Sequence, residues 1–226
     1  MKSDKKVSAA VIQRLPRYYR YLGDLLDNNI MRISSKELST RMGITASQIR
    51  QDLNNFGSFG QQGYGYNVAT LYDEIGRILG LDKSYALILI GAGNFGQALA
   101  GYPYFARRGY SFVALFDNDP EIIGKTVGGV EVLDVASLPQ YLQTNHVDIA
   151  VLTLPGYVAN QAACILANAG IKGIWNFSGT DLHVPLGTIV ENVRLTDSLM
   201  TLSYMINEDE IIRRALPKSA SAESVN

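Results

Sequence analysis

Three glycines that follow an apolar run form the clearest chemical pattern in the chain. Gly91, Gly93 and Gly96 fit the spacing G-x-G-x-x-G, directly after the apolar run 85–90 and at the start of a predicted helix over 95–107. In such a turn the first glycine permits a tight bend, the second lets a pyrophosphate approach the backbone, and the third lets helix and strand pack closely. Unpaired N–H groups at the start of the helix then face the phosphates. The pattern predicts a dinucleotide site, with a glycine turn that binds no ligand as the alternative.

An acidic residue after the next apolar run indicates which dinucleotide this turn suits. The run 111–116 is predicted to be the second strand, and Asp117 follows it about 20 residues after the glycines. A carboxylate at this position accepts hydrogen bonds from the adenosine ribose and repels a 2′-phosphate, so NAD⁺ and NADH are favoured over their 2′-phosphorylated forms. Asp119 is a second acidic candidate, although its place before Pro120 also fits a turn.

Two later segments are predicted to lie at the same edge of a parallel sheet. One follows a predicted strand over 147–152 and the other a predicted strand over 171–175. Ligands of such sheets bind at the carboxyl ends of the strands, although core packing is the alternative for Leu154 and Phe177. The predicted cofactor-binding residues are Gly91, Ala92, Gly93, Asn94, Phe95, Gly96, Asp117, Asp119, Thr153, Leu154, Pro155, Asn176 and Phe177.

The first third of the chain differs from the rest in charge and in pattern. Residues 1–66 contain ten Lys and Arg and five Asp and Glu, which leaves −6 for the remainder of a chain whose net charge is −1. A basic segment of this kind suits a polyanion, although a solvated basic face is the alternative. Ser34 with Glu37, and Thr45 with Gln48, have the spacing of two capping boxes separated by a glycine. These signals predict a helix-turn-helix.

The second of these helices carries polar side chains that suit the edges of DNA bases. Arginine pairs with guanine and glutamine with adenine, while serines at the start of the first helix suit a backbone phosphate. The segment 55–66 alternates glycine and aromatic residues, which predicts a β-hairpin and therefore a winged helix. A helical hairpin that packs on another surface is the alternative. The predicted DNA-binding residues are Ser34, Ser35, Lys36, Thr45, Ser47, Gln48, Arg50, Gln51, Gln61, Gln62, Gly63 and Tyr64.

Composition favours a cytoplasmic protein without a membrane or a metal partner. No apolar run approaches the length of a membrane span, and the charged N-terminus lacks the apolar core of a signal peptide. The single cysteine, Cys164, is predicted to pack in the core. His146 and His183 have no metal-ligand partner at a suitable spacing.

Two rival classes use the same glycine turn. An NAD-dependent dehydrogenase needs a substrate domain, and the residues after the glycine turn suffice only for one Rossmann domain and a helix, so we expect no enzyme. A module that binds coenzyme A is disfavoured by Asp117, because a carboxylate there calls for a free ribose diol.

Several motifs taken together resemble the Rex family of redox-sensing transcriptional repressors. They extend over about residues 7–207, and their order and spacing are more specific than any one of them. The matching segments are RLPRYYRYL at 14–22, SSKEL at 34–38, QIRQDL at 48–53, GYGYNV at 63–68, 91–96, 102–103, FDND at 116–119, TLP at 153–155 and GIWNF at 173–177.

The resemblance implies an α/β fold in which a winged helix-turn-helix precedes a Rossmann domain with a parallel sheet. It also implies a homodimer in which a C-terminal helix is swapped into the partner. The segment 194–210 is apolar at helical spacing, which fits a buried helix. The predicted divisions are 1–80 for the winged helix, 81–193 for the Rossmann domain, 194–210 for the swapped helix and 211–226 for a disordered tail.

Rex-like function implies a pseudo-palindromic double-stranded DNA operator and two nucleotide cofactors. NADH releases such a repressor, whereas NAD⁺ competes for the site without causing release. The sensing contacts must lie near the nicotinamide, and an apolar pocket favours the neutral reduced ring because an unpaired buried charge is costly. We expect Phe177 and the partner's swapped helix to form that pocket. The wing carries Gln61 and Gln62 where the family often has basic residues, so its electrostatic attraction to DNA should be weaker.

The resemblance also implies a set of switch residues. An aspartate at the start of the swapped helix bridges an N-terminal arginine and a tyrosine after the glycine turn, and Arg14 and Tyr102 match the latter two. Arg194 occupies the position of that aspartate, and Asp197 is the candidate substitute one turn later. The predicted switch residues are Arg14, Tyr102 and Asp197.

Overall fold

The chain divides into two units between Ser84 and Tyr85, a few residues after the predicted boundary at 80/81. The computed structural model describes residues 7–57, 59–61 and 64–215. Each unit has its own hydrophobic core. The predicted order of a helical, wing-bearing unit followed by a parallel-sheet unit is confirmed.

The N-terminal unit combines helices with a small antiparallel sheet. Its elements are α1 (Ala9–Asp27), β1 (Arg32–Ile33), α2 (Ser35–Met42), α3 (Ala46–Asn54), β2 (Gly60–Gln61), β3 (Gly65–Asn67) and α4 (Val68–Ile78). Strand β3 pairs antiparallel with both β1 and β2, which gives a wing after the helix-turn-helix. The winged helix predicted from the sequence is therefore present.

Local side-chain hydrogen bonds begin both helices of the helix-turn-helix. The first capping box is complete, because Glu37 N donates to Ser34 Oγ at 3.1 Å and Ser34 N donates to Glu37 Oε2 at 2.8 Å. The second box is only half formed. Gln48 N donates to Thr45 Oγ1 at 3.1 Å, whereas the Gln48 side chain turns away to Asp52.

A buried ion pair joins α1 to α3 in addition to their apolar contacts. Asp52 is inaccessible to solvent, and Arg14 donates to its two oxygens through Nε at 2.6 Å and Nη2 at 2.8 Å. Tyr18 Oη and Gln48 Nε2 donate to the same carboxylate at 2.9 and 2.7 Å. Burial by itself raises the pKa of Asp52, but the hydrogen bonds from Arg14, Gln48 and Tyr18 outweigh it and lower that pKa.

The C-terminal unit is built on a sheet with helices on both faces. Its elements are β4 (Tyr85–Ile90), α5 (Asn94–Ala100), β5 (Tyr110–Asp117), β6 (Thr126–Val127), β7 (Val130–Asp134), α6 (Leu138–Thr144), β8 (Ile149–Leu152), α7 (Gly156–Asn168), β9 (Gly173–Asn176), β10 (Ile189–Asn192) and α8 (Leu195–Ala215). The strand order is β10-β9-β8-β4-β5-β7-β6, and every pair is parallel except β6 with β7. This is the predicted Rossmann-type arrangement.

Strand β4 lies at the centre of this sheet, and its apolar run is buried on both faces. Ile88 and Ile90 belong to one core cluster, while Leu87 and Leu89 belong to the cluster on the opposite face. A continuous apolar run without alternation is typical of a strand that is covered on both sides. The sequence run 85–90 therefore encodes the position of β4 as well as its conformation.

Two sequence predictions for this unit are corrected by the structure. The helix predicted over 95–107 ends at Ala100, and a short 3₁₀ turn at Ala106–Arg108 follows, because Pro103 disfavours helical backbone at the residue before it. The side chain of Cys164 is exposed rather than in the core, with Sγ 3.6 Å from the His183 carbonyl oxygen.

Helix α8 agrees with the predicted helix at 194–210 but is longer. Residues 211–215, predicted to belong to a disordered tail, are helical, and 216–226 lie outside the described residues. Apolar side chains such as Leu199, Leu202 and Ile206 are all exposed. A helix that exposes this many apolar side chains is typical of a surface that binds a partner.

The described residues contain neither a candidate membrane-spanning helix nor a candidate metal site. Within them, no helix is both long enough and apolar enough to cross a bilayer. The same residues contain no group of three or more histidine, cysteine or acidic side chains that could hold a metal ion.

We expect Arg14→Ala to destabilise the N-terminal unit by about 3–5 kcal/mol, because it leaves the Asp52 carboxylate buried without its cation. Urea unfolding followed by circular dichroism measures this change. Arg17→Ala, which removes an exposed arginine from the same helix, is the control and should cost less than about 1 kcal/mol. Similar losses in the two variants would contradict the role of the ion pair.

The same pair predicts how stability depends on pH. The pKa of Asp52 is lower in the folded chain, so its contribution is complete above the unfolded pKa of about 4 and disappears as pH falls through the folded value. Asp52→Asn should flatten this acid limb of the unfolding free energy. An unchanged acid limb would show that other carboxylates produce it.

Candidate functional site

A cleft of about 660 Å³ opens at the carboxyl ends of the central strands. It forms where β4 pairs with β5 on one side and with β8 on the other, so the chain connections leave β4 in opposite directions. Ligands of open parallel sheets bind at such a switch point. The residues that line the cleft are Ile90, Gly91, Gly93, Phe116, Asp117, Asn118, Val135, Ala136, Leu138, Pro139, Thr153, Leu154, Pro155, Tyr157, Val158, Gln161, Ala162 and Ile165.

The three glycines of the turn meet different surroundings. Gly91 has φ +100°, and a Cβ there would lie 2.8 Å from the Thr153 carbonyl oxygen. A Cβ on Gly96 would overlap the carbonyl oxygen of Gly91, so helix α5 packs closely on the strand. At Gly93 a Cβ would meet nothing within 4 Å apart from its own neighbours in the chain. The turn is therefore closed against the protein at its first and third glycines and open at the second, as a phosphate site requires.

Thr153 holds the glycine turn in place from the neighbouring strand. Its Oγ1 donates to the Gly91 carbonyl oxygen at 2.7 Å, and its backbone N donates to the Ile90 carbonyl oxygen at 3.0 Å. Leu154 and Pro155, which follow it, line the cleft. Thr153, Leu154 and Pro155 thus follow the carboxyl end of β8, at the sheet edge predicted from the sequence, and Thr153 also supports the glycine turn.

The two acidic candidates after β5 have different positions. Asp117 lines the cleft, and its Oδ1 accepts from the backbone N of Asn118 at 2.8 Å and of Asp119 at 3.0 Å. Its Oδ2 has no hydrogen-bond partner among the described residues and is available to a ribose hydroxyl. Asp119 accepts from Glu121 N at 2.9 Å and does not line the cleft, so the turn-forming alternative explains it.

An aromatic cluster borders the glycine turn on the side of α5. Phe177 contacts Phe95 edge to face with 5.3 Å between ring centroids, and Trp175 with 4.6 Å. Trp175 in turn contacts Phe105 at 5.6 Å. Sequence reasoning missed Trp175 and Phe105 as members of this cluster, because the strand β9 and the loop after α5 join only in the folded chain.

Asn176, predicted to bind cofactor, is fully engaged inside the protein. Its Nδ2 donates to the carbonyl oxygen of Thr180 at 2.8 Å and to Asn192 Oδ1 at 2.7 Å. Its Oδ1 accepts from both N and Oγ of Ser178 at 3.0 and 2.7 Å. The side chain is 2% exposed and shapes the loop that carries Phe177.

A second polar surface lies on α3 in the N-terminal unit. Ser47, Arg50 and Gln51 are exposed and line a shallow groove together with Asn54 and Asn55, two residues that the sequence analysis did not select. Arg50 Nη1 donates to Ser35 Oγ at 2.9 Å, which ties this helix to the start of α2.

Gln48, one of the predicted DNA-binding residues, is held by a neighbouring side chain of its own helix. It is half-buried, and its amide donates to Asp52, so one side of the Gln48 side chain is held by its own helix. The reason is the i, i+4 spacing of the two residues, which places them one above the other on the same helix face.

The wing adds further polar groups to the N-terminal unit. Tyr64 is exposed, and the guanidinium of Arg32 lies 6.0 Å from the centroid of its ring. Arg32 was missed because a two-residue strand leaves no periodic signal in the sequence. Gln61 is described in its backbone as part of β2, and Gln62 and Gly63 lie outside the described residues.

The predicted switch residues lie in three different settings. Arg14 is paired with Asp52 inside the N-terminal unit. Tyr102 is exposed and contacts Phe105 with 5.4 Å between ring centroids. Asp197 is exposed in the first turn of α8.

Arg194 begins the same segment and forms an ion pair. It donates to Asp181 in the loop after β9, and this hydrogen bond raises the arginine pKa. The basic residue at the position where an aspartate was expected is thus held by an acidic residue of its own unit.

Comparison with known proteins decides the family. Two family models match, one described as "Putative DNA-binding protein N-terminus" over residues 6–54 and one as "CoA binding domain" over 82–180. The chain is 58% identical to the redox-sensing transcriptional repressor Rex of Clostridioides difficile over 208 residues. This matched region covers 92% of this chain and 99% of that protein. It belongs to the Rex family.

Solved structures of a Rex-family repressor named RSP agree with this assignment. RSP in complex with β-NAD⁺ and operator DNA is 52% identical, with a TM-score of 0.86 and coverage of 96% of this chain and 100% of RSP. RSP in complex with β-NADH is 50% identical, with a TM-score of 0.86 and coverage of 94% and 100%. Rex proteins are transcriptional repressors, so membership places the chain outside the dehydrogenases that share its sheet.

The glycine turn of this Rex-family chain predicts unequal effects of the same substitution at two positions. Gly96→Ala should lower the free energy of unfolding by about 1–3 kcal/mol, since its methyl group overlaps the Gly91 carbonyl. Gly93→Ala, the matched control, should change stability by less than about 1 kcal/mol. Thermal unfolding of both variants tests the geometry, and equal effects would contradict it.

Proposed function

We propose that this Rex-family chain is a homodimeric repressor that binds pseudo-palindromic operator DNA and is released from it by NADH. The observation that carries the proposal is that one chain combines an exposed polar recognition helix with a cleft whose glycine turn and free carboxylate oxygen fit a dinucleotide. RSP has been solved in complex with β-NAD⁺ and operator DNA, and in complex with β-NADH. Because a repressor must reach genomic DNA, the location in this proposal is the cytoplasm.

The cleft fits the adenosine and pyrophosphate portions of NADH and NAD⁺. Open space beside Gly93 admits a phosphate to the backbone, and Asp117 Oδ2 accepts from a ribose hydroxyl. Apolar residues such as Val135 and Leu138 provide a surface for the adenine ring. Because a carboxylate repels a nearby phosphate, Asp117 also disfavours coenzyme A, whose ribose is phosphorylated.

Redox discrimination requires that the two oxidation states bind the two protein conformations unequally. The nucleotide, when bound, supplies the redox signal through the charge and shape of its nicotinamide ring. Phe177 and Phe95 offer an apolar aromatic border beside the glycine turn, which favours an uncharged ring over a cation. NAD⁺ then occupies the cleft in competition with NADH but does not drive release.

The operator is read by the polar face of α3 and by the wing. Arg50 and Gln51 supply hydrogen bonds to base edges, and Ser35 and Lys36 at the start of α2 contact phosphate. Tyr64 with Arg32 adds a contact from the wing. Two copies related by a twofold axis present two such surfaces, which matches an operator with twofold symmetry.

Helix α8 supplies the dimer contact in this proposal. Its exposed apolar side chains match an apolar groove of about 480 Å³ on the same unit, lined in part by Phe105, Ile149 and Trp175. Arg14, Tyr102 and Asp197 form the proposed switch. Because Arg14 is paired with Asp52, its entry into that switch competes with the buried carboxylate.

The central test uses the operator duplex of the RSP complex, labelled with fluorescein, in anisotropy titrations at one fixed salt concentration. We expect binding, release by NADH and no release by NAD⁺. Gly93→Val is the control, since its side chain fills the phosphate space, and it should bind DNA yet ignore NADH. Absence of binding, or release by both nucleotides, would contradict the proposal.

Asp117→Asn should weaken NADH binding by about 1.5–3 kcal/mol, because the charged acceptor for the ribose is lost while an amide oxygen still serves the turn. Binding can be followed by energy transfer from the single tryptophan, Trp175, to NADH. Asp119→Asn is the control and should bind NADH as the wild type does. Equal losses in both variants would show that the turn rather than the ribose contact matters.

Arg50→Ala should reduce operator affinity by about 1–3 kcal/mol and relax the preference at one base pair, because it removes a base-reading side chain. Lys36→Ala should weaken binding evenly across operator variants and lower the salt dependence. Competition titrations with substituted duplexes separate the two effects. An unchanged sequence preference in Arg50→Ala would contradict its role.

A further inference from the structure

Asp52 is the only acidic side chain in the described residues that is fully buried, and it lies on the recognition helix. Its four hydrogen bonds are divided evenly between its oxygens. Oδ2 accepts from Arg14 Nε and Tyr18 Oη, and Oδ1 accepts from Arg14 Nη2 and Gln48 Nε2, at distances of 2.6–2.9 Å. A carboxylate has about four acceptor positions, so this one is saturated.

The spacing of the four residues explains how they meet. Arg14 and Tyr18 are four apart on α1, and Gln48 and Asp52 are four apart on α3, so each pair lies on one face of its helix. One carboxylate therefore fixes the separation and rotation of the two helices. Tyr18 is completely buried and Arg14 is largely covered, which shields the cluster from water.

Gln48 is the half-buried member of this cluster, and on α3 it borders the residues that line the polar groove. A carboxylate only accepts hydrogen bonds, so the contact at 2.7 Å must come from the amide NH₂ of Gln48, and this fixes the amide's orientation. Its Oε1 and its second N–H are not used by the described residues. The side chain is half-buried, and it stands next to Ser47, which lines the groove on α3.

We infer that Asp52 is a positioning residue for operator recognition, which presents the Gln48 amide to DNA in a single orientation. An adenine edge in the major groove offers one donor and one acceptor, and an amide held in one orientation matches them while the flipped amide does not. Arg14 and Tyr18 hold Asp52 rigidly, and Asp52 in turn holds the Gln48 amide. The amide therefore loses less conformational entropy when it contacts a base. This inference rests on the proposed function, because it concerns the same DNA surface.

The test measures base discrimination with the full chain and the RSP operator duplex, in which each base pair of both half-sites is replaced symmetrically. Gln48→Ala should lose about fivefold or more of the wild-type preference at one base pair. Asp52→Asn should lose the preference at that same base pair, and the double variant should lose no more than either single variant. Tyr18→Phe, which removes one hydrogen bond and keeps the charge, should give a smaller loss at the same position.

A stability control separates positioning from general weakening of the domain. Ile75→Val removes one buried methyl group from α4, far along the chain from the cluster, and should lower stability without changing the preference at any base pair. Asp52→Asn that keeps the wild-type preference, or that loses it evenly at every base pair, would overturn the inference. Gln48→Ala without any change in preference would overturn it as well.

Nuclear magnetic resonance of the Gln48 side-chain amide in the full chain without DNA gives an independent answer. In the wild type and in Ile75→Val its two protons should show distinct shifts and slow exchange with water, and in Asp52→Asn they should resemble those of an exposed glutamine. An exposed-type signal in the wild type would overturn the inference. Wild-type chain that fails to bind the duplex would instead contradict the proposed function, and the resonance measurement then still decides whether Asp52 holds the amide.

Discussion

The burial of β4 on both faces is the constraint on which the C-terminal unit depends. Its apolar residues leave no face for water, so sheet neighbours and packing layers must cover it completely. Pairing with β5 and β8 satisfies its backbone on both edges, and the connections then leave in opposite directions. The cleft at its carboxyl end follows from that arrangement, and so does the placement of the glycine turn and Asp117 around it.

The N-terminal unit depends on a different interaction for its order. Its helices α2, α3 and α4 are only 8, 9 and 11 residues long, and helices of this length gain most of their stability from packing rather than from propensity. The apolar core supplies that packing, and the saturated Asp52 carboxylate adds direction, because hydrogen bonds fix angles that apolar contacts leave adjustable. A unit that reads DNA benefits from such directional contacts, since small rotations of α3 move its polar side chains away from the bases.

The two functional surfaces of the chain differ in how directly they follow from local sequence. The nucleotide cleft is assembled from the ends of several strands, so a single contact such as Thr153 to Gly91 joins residues far apart in the chain. The polar face of α3 is local, because the helical periodicity of the sequence by itself indicates which of its residues are exposed. Helix α8 leaves apolar side chains from Leu195 to Ile206 exposed within the single chain, which makes a second chain part of the expected assembly.

The sequence by itself determined the helix-turn-helix, the wing, the parallel sheet and the glycine turn with Asp117, because periodicity, caps and glycine spacing are local signals. The tertiary structure decided that Asp119 shapes a turn, that the Asn176 side chain makes its hydrogen bonds inside the protein, and that Cys164 is exposed to solvent. It also decided that Gln48 and Arg14 meet at Asp52. The bonds of Arg14 to Asp52 and of Asn176 to Asn192 join residues far apart in the chain, and no local pattern encodes such partners. The contacts of Gln48 with Asp52 and of Asp119 with Glu121 are local, but the sequence also allowed each side chain to face a ligand, and the fold selected between the alternatives.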